Sequence, residues 1–297
     1  MTQSTLKVSA LSFGPGSPVG QETSKKCMLD AWNNGVNYFD TAEVYASGEC
    51  EKVFGQALRN LSLKRSDLVI SMKLFWGGPG PNDTGLERPD LEYVDIVAAH
   101  RPDPLTPMEE IVRASPRSSS PAGRFTGAPR IQRDRVEDEL RPVLRNYGYG
   151  LTIWSPLDNG VFSGKYNDGI PEGSRLTGAD VASSDKQNMI NFGKALSTEA
   201  GKAKIAKVRK LTDMVKGLGC TTAELALAWC LPNEQISIVI TGASRPEQVT
   251  ENMKALDVYG QMKKDTSIKQ RVDEIGGRVS LMVSRGEDLS SAVEAGT

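Results

Sequence analysis

The sequence predicts an α/β fold in which parallel strands and crossover helices wind as a barrel, and three observations carry that expectation. Polar residues of complementary chemistry stand just past three short apolar strands: Asp40 and Tyr45 after Asn37–Phe39, Lys73 at the end of Leu68–Met72, and the chain's one histidine, His100, after Val94–Ala99. Catalytic groups of β/α barrels sit at the C-terminal ends of successive strands in this way. Strand-like and helix-like segments alternate over the first hundred residues, as parallel strands with crossover helices require. A chain of 297 residues is also a length that such a barrel fills as one domain.

Leu6–Phe13 alternates enough for a first strand, and Thr23–Asn34 reads as a helix closed by Gly35 in the usual left-handed cap position. Phe39 ends a second strand, Glu49–Asn60 is a second helix, Leu68–Lys73 a third strand and Val94–Ala99 a fourth. The pattern then fails. Leu74–Glu92 is rich in Gly and Pro and too short for a crossover helix with its loops, and Ser115–Arg130 has no apolar period and reads as a linker. Order resumes near Arg133. Leu151–Trp154 is a strand, Lys202–Leu218 and Thr222–Leu231 are helices, Ile236–Ile240 is the last strand, and Pro246–Ala255 is a helix with proline in its first turn. The expected organisation is one domain over residues 1–275, interrupted by an irregular segment at 115–132, and a poorly structured tail at 276–297.

With 36 basic and 37 acidic residues the net charge is −1, so no field favours nucleic acid or an anionic membrane. No apolar run has membrane-spanning length, and the N-terminus lacks the basic and apolar regions of a secretory signal. Cys27, Cys50, Cys220 and Cys230 show no metal spacing, and one histidine argues against a zinc site. The expectation is a reduced, cytoplasmic protein acting on a small molecule.

Reducing a carbonyl needs a hydride donor and a proton donor at the oxygen. Tyrosine is a weak acid near pH 7, and a neighbouring cation favours its phenolate. Lys73 can supply that charge, Asp40 can hold Lys73, and His100 can donate a hydrogen bond to the carbonyl. Acid help of this kind is worth roughly 10²–10⁴-fold. Singly, each residue has a plainer role, as packing, turn cap or solvated charge; their joint occurrence on strands two, three and four favours chemistry. No G-x-G-x-x-G follows a strand, so a Rossmann site is excluded, and Gly160–Lys165 has the wrong spacing for a P-loop.

Gly35–Tyr45 resembles the signature of aldo-keto reductases. With Leu74–Gly78, His100–Pro104 and Trp154–Leu157, the similarity extends from Leu6 to about Ile275. It is strongest to the branch that contains voltage-gated potassium-channel β subunits and their microbial reductase relatives. The resemblance implies an (β/α)8 TIM barrel using NADP(H), with Tyr45 as proton donor, Lys73 and Asp40 tuning it, and His100 binding the carbonyl. Channel β subunits tend to have Asn at that last position, so His100 favours an enzyme over a non-catalytic channel accessory. By the same resemblance Asp40, Ser155, Pro156, Leu157, Gly160, Lys165 and Arg175 face the nicotinamide and pyrophosphate. Gly242, Ser244, Arg245, Gln248, Glu251 and Asn252 take the adenosine end, with Arg245 placed to fork onto a 2′-phosphate. Relatives often form homo-oligomers, which leaves that state open here.

The family runs some tens of residues longer. One crossover helix and strands five and six have no counterpart in this chain, and Gly14–Val19 departs from the family's Trp-containing loop. Read one base out of frame, with codons that third-base degeneracy permits, Ala122–Pro129 spells Gly-Trp-Ala-Phe-Tyr-Trp-Gly-Thr, the family's fifth strand. Ser115 and Ser118-Ser119 shift likewise to Phe and Val-Ile. Ser115–Pro129 is therefore read as an out-of-frame segment. Six strands of eight break the agreement of strand number and shear that closure needs. The family's nicotinamide contacts from strands five and six are lost with them. The expectation is weak or no NADPH binding by this chain, with an inactive truncated product as the alternative.

Overall fold

The computed structural model describes residues 11–13, 21–42, 45–74, 91–99, 151–179, 181, 183–231 and 236–276. His100, the segment 115–132 and the tail beyond Gly276 lie outside them. Strand β1 (Leu11–Phe13) is followed by α1 (Gln21–Asn33), β2 (Tyr38–Ala42), α2 (Glu49–Asn60), β3 (Val69–Leu74) and β4 (Ile96–Ala99). After β5 (Leu151–Ile153) come α3 (Ser183–Ala195), α4 (Glu199–Val215), α5 (Thr222–Cys230), β6 (Ile236–Thr241), α6 (Pro246–Met253), α7 (Ala255–Lys264) and α8 (Thr266–Gly276). Helix α2 matches its sequence-predicted bounds, β1 ends at Phe13 as predicted while its predicted start at Leu6 lies outside the described residues, and the other predicted elements differ at their ends by one to three residues. Helices α3, α7 and α8 and the 3₁₀ turns Asp158–Ser163 and Arg175–Thr177 have no counterpart among the sequence-predicted elements.

The strands pair in the order β4-β3-β2-β1-β6-β5, every pair parallel. This order walks from strand to sequential strand and sets the first beside the last, as barrel winding does and a doubly wound sheet does not. Among the described residues β4 and β5 stand at its two ends.

Alternation along each strand sorts residues onto two faces. Phe39, Ile70, Ile153 and Val239 meet the helices in one large core with Met28, Phe54, Leu225 and Leu227. Tyr38, Val69, Ile96, Ile238 and Ile240 form a second cluster on the other face, with Trp154 against it. All five residues of β2 are buried, as expected of a parallel strand covered on both sides. Helix α5 is apolar all round, and every one of its residues is buried. Its start is fixed by a capping box, in which Thr221 Oγ1 accepts from the Glu224 N–H at 3.1 Å and Glu224 Oε2 accepts from the Thr221 N–H at 3.0 Å.

At the opposite, N-terminal edge a staple sets the β3–β4 register. Asp95 Oδ2 accepts from the Ile70 N–H at 2.7 Å and from Arg65 Nη2 at 2.7 Å, and the Arg65 guanidinium lies 4.0 Å from the Tyr93 ring centroid. Among the described residues no helix is long and apolar enough to cross a membrane, and no group of His, Cys, Asp and Glu could hold a metal ion.

Candidate active site

The register Asp40↔Ser71 and Ala42↔Lys73 puts Asp40, Ser71 and Lys73 on the face that carries Tyr38 and Val69, at its C-terminal end. There they form one buried polar cluster. Lys73 Nζ donates to Asp40 Oδ2 and, at 3.4 Å, to the Thr41 carbonyl. Ser71 Oγ donates to Asp40 Oδ1 at 2.5 Å. The Lys73 and Asp40 side chains are 7% and 3% exposed, so the pair is shielded from solvent. Tyr45 opens the 3₁₀ turn Tyr45–Gly48 beyond β2, and Lys73 Nζ lies 5.3 Å from its ring centroid.

Burial pushes the Tyr45 phenol above its usual value; the Lys73 charge pulls the other way without overcoming it. The sequence argument named the cation alone, whereas desolvation of the phenolate is the larger effect here. Burial would lower Lys73, yet the Asp40 carboxylate and Tyr45 hold it above its ordinary value, so it stays an ammonium. Tyr38 is raised by burial and by the Asp40 charge, against a smaller opposing effect of its hydrogen bond with Ser71. Strand β4 ends at Ala99, with Ala98 paired to Lys73, and the next residue in the chain is His100. Ser71 is the participant that sequence reasoning missed. Its signal was a hydroxyl in an otherwise apolar strand, two residues before Lys73 and hence on the same face.

A second constellation follows β5 and β6. The 155–164 loop carries Ser155, exposed and in the left-handed region (φ 53°), then buried Pro156, half-buried Leu157 and Gly160. A Cβ at Gly160 would meet Lys165 Nζ at 2.8 Å, so the lysine tip is packed against bare backbone. Burial of that tip, and the charges of Arg175 and Arg245, hold Lys165 below its ordinary value. Three cations that the sequence spreads over eighty residues are thus close enough to repel. The Nε of Arg175 is buried with no hydrogen-bond partner among the described residues. After β6, Gln248 Oε1 accepts from the N–H groups of Ser244 (2.8 Å) and Arg245 (3.2 Å), and Asn252 Nδ2 donates to the Gly242 carbonyl at 3.4 Å. Gly242, Ser244, Arg245, Gln248 and Asn252 therefore form one constellation at the start of α6, and half-buried Glu251 lies on the same helix.

The chain is 36% identical to a Schizosaccharomyces pombe protein named as a voltage-gated potassium channel subunit beta, over 92% of this chain and 91% of that one. Proteins of the same name from Arabidopsis thaliana and Oryza sativa subsp. japonica are 41% and 40% identical, each over 86% of this chain and 90% of the other. The first alignment runs over 329 positions yet takes in 92% of a 297-residue chain, so several tens of the relative's residues have no counterpart here. The model of the aldo/keto reductase family matches residues 10–115 and 126–273, and its break falls inside the segment read as out of frame. Sequence match and parallel α/β architecture agree: the chain belongs to the aldo/keto reductase family, a family of oxidoreductases.

Proposed function

We propose that this chain carries the site of an NADPH-dependent reductase of aldehydes or ketones. The observation that supports it best is the buried Asp40–Lys73 pair at the C-terminal strand ends, with the half-buried Tyr45 ring beside the Lys73 ammonium. When bound, the nicotinamide supplies the hydride. Tyr45 Oη gives its proton to the carbonyl oxygen as negative charge develops there. Lys73, kept charged by Asp40, stabilises the phenolate left behind, and burial makes that stabilisation stronger than it is in water. Ser71 fixes the second carboxylate oxygen and so the position of Lys73. His100 orients the carbonyl.

The residues present fit NADP(H). Lys165, repelled by Arg175 and Arg245, together with Arg175 Nε, buried without a partner among the described residues, suits an anionic, phosphate-bearing ligand. Ser155, Pro156, Leu157 and Gly160 would cover the pyrophosphate. Gly242, Ser244, Gln248, Glu251 and Asn252 would hold the adenosine end, with Arg245 on a 2′-phosphate. Asp40 would border the nicotinamide. On this reading residues 1–275 are one cytoplasmic barrel domain that lacks the family's fifth and sixth strands and one crossover helix, so its grip on the nicotinamide is weak.

The test is NADPH titration together with aldehyde reduction at millimolar NADPH. Binding weaker than micromolar, with slow turnover that Tyr45→Phe abolishes, is expected. Micromolar affinity overturns the incomplete clamp, and equal rates in wild type and Tyr45→Phe overturn the reductase. The names of the relatives favour a second reading, a non-catalytic accessory of a membrane channel. Co-purification with a channel domain, without turnover, supports that reading. Unfolding without a cooperative transition supports an inactive truncated product.

A further inference from the structure

The 155–164 loop is conformationally costly. Asp158, Asn159 and Gly160 follow one another in the left-handed region (φ 46°, 55° and 93°), three residues after Ser155 in the same region. Such residues cost roughly 1–2 kcal/mol each when they are not glycine, although Asp and Asn tolerate the region best. Strain of this kind persists only where the surroundings over-determine it. Val161 and Phe162, both buried, anchor the far side of the run, and Ser163 Oγ donates to the Gly160 carbonyl at 2.7 Å.

The near side is held from outside the loop. Lys204, on α4, donates from Nζ to Asp158 Oδ2 at 2.8 Å, and the two side chains are only 15% and 7% exposed. Further along α4, Arg209 Nη2 donates to the Asn167 carbonyl, and Thr212 Oγ1 accepts from Asn167 Nδ2 at 2.9 Å. One helix thus grips the segment 158–167 at both ends. Of these contacts only Lys204–Asp158 is a shielded ion pair, and it acts on the strained run itself.

We propose that Lys204 is a positioning residue: its ion pair with Asp158 locks the left-handed run and so presents Ser155, Leu157 and Gly160 to the dinucleotide. The cofactor role rests on the reading above; the lock does not. A nearly buried carboxylate whose ion-pair partner is removed is left uncompensated, and the loop can relieve this by turning Asp158 out to water. The lock is then lost, and with it the pre-organisation that makes binding less costly.

Hydrogen exchange of the amides in 155–165 tests this in the cofactor-free chain, with NADPH affinity measured beside it. Lys204→Met is expected to speed exchange there by about ten-fold or more, equivalent to roughly 1.4 kcal/mol of opening, and to weaken NADPH binding in parallel. Lys204→Arg, which keeps the charge, should restore both. Asp158→Asn should match Lys204→Met, and the double variant should be no worse than either alone. Unchanged exchange in a folded Lys204→Met protein overturns the lock. Faster exchange with unaltered NADPH affinity overturns its role in cofactor binding. If the wild type binds no NADPH at any concentration, the cofactor reading has failed, and the exchange data alone decide the lock.

Discussion

Replacing Lys73 by Met removes the cation that makes a buried Asp40 carboxylate tolerable. The Asp40 side chain is 3% exposed, and it also accepts from the Ser71 hydroxyl at 2.5 Å. Leaving half of such a pair behind costs about 3–5 kcal/mol. Urea unfolding of Lys73→Met at pH 7 should show a loss of that size, because the carboxylate keeps its burial and loses its charge partner. Adding Asp40→Asn should recover most of the loss, because the amide still accepts from Ser71. A loss within about 0.5 kcal/mol, or a double variant as unstable as the sum of the singles, would refute the reasoning.

Three further outcomes follow from the same geometry. Arg245→Gln should weaken NADPH binding by about 10–100-fold, the value of one charged hydrogen bond or fork, while sparing NADH; equal losses in fluorescence titrations of the two would refute the 2′-phosphate assignment. Burial, with Asp30 and Glu224 respectively, pushes the Cys27 and Cys220 thiols from 9.0 up to about 11. The folded state then holds these protons more tightly, so stability should be intact below 9.0 and fall toward 11, with Tyr45 and Lys73 acting in the same direction; a flat urea midpoint across that interval would contradict it. Asp95→Ala strips the Ile70 N–H and Arg65 of their shared acceptor and should cost about 2 kcal/mol in urea unfolding; a change within about 0.5 kcal/mol would remove the staple from the account.

The sequence by itself determined most element types and the residues of the buried Asp40–Lys73 cluster, because both are local. Period-two runs with polar ends mark β2, β3 and β4, and the same alternation puts Asp40, Ser71 and Lys73 on one face once the strands pair. It also marked where the family pattern breaks, since the stretch between Ser115 and Arg130 has no apolar period and the family match is interrupted between residues 115 and 126. Only the tertiary structure decided which influence on Tyr45 wins, because desolvation depends on everything packed around the ring and not on the neighbour that spacing supplies. The gathering of Lys165, Arg175 and Arg245, and the reach of Lys204 across to Asp158, were likewise invisible in sequence. These are contacts between residues dozens of positions apart, and no local period encodes them; they exist because parallel strands bring distant loops to one rim.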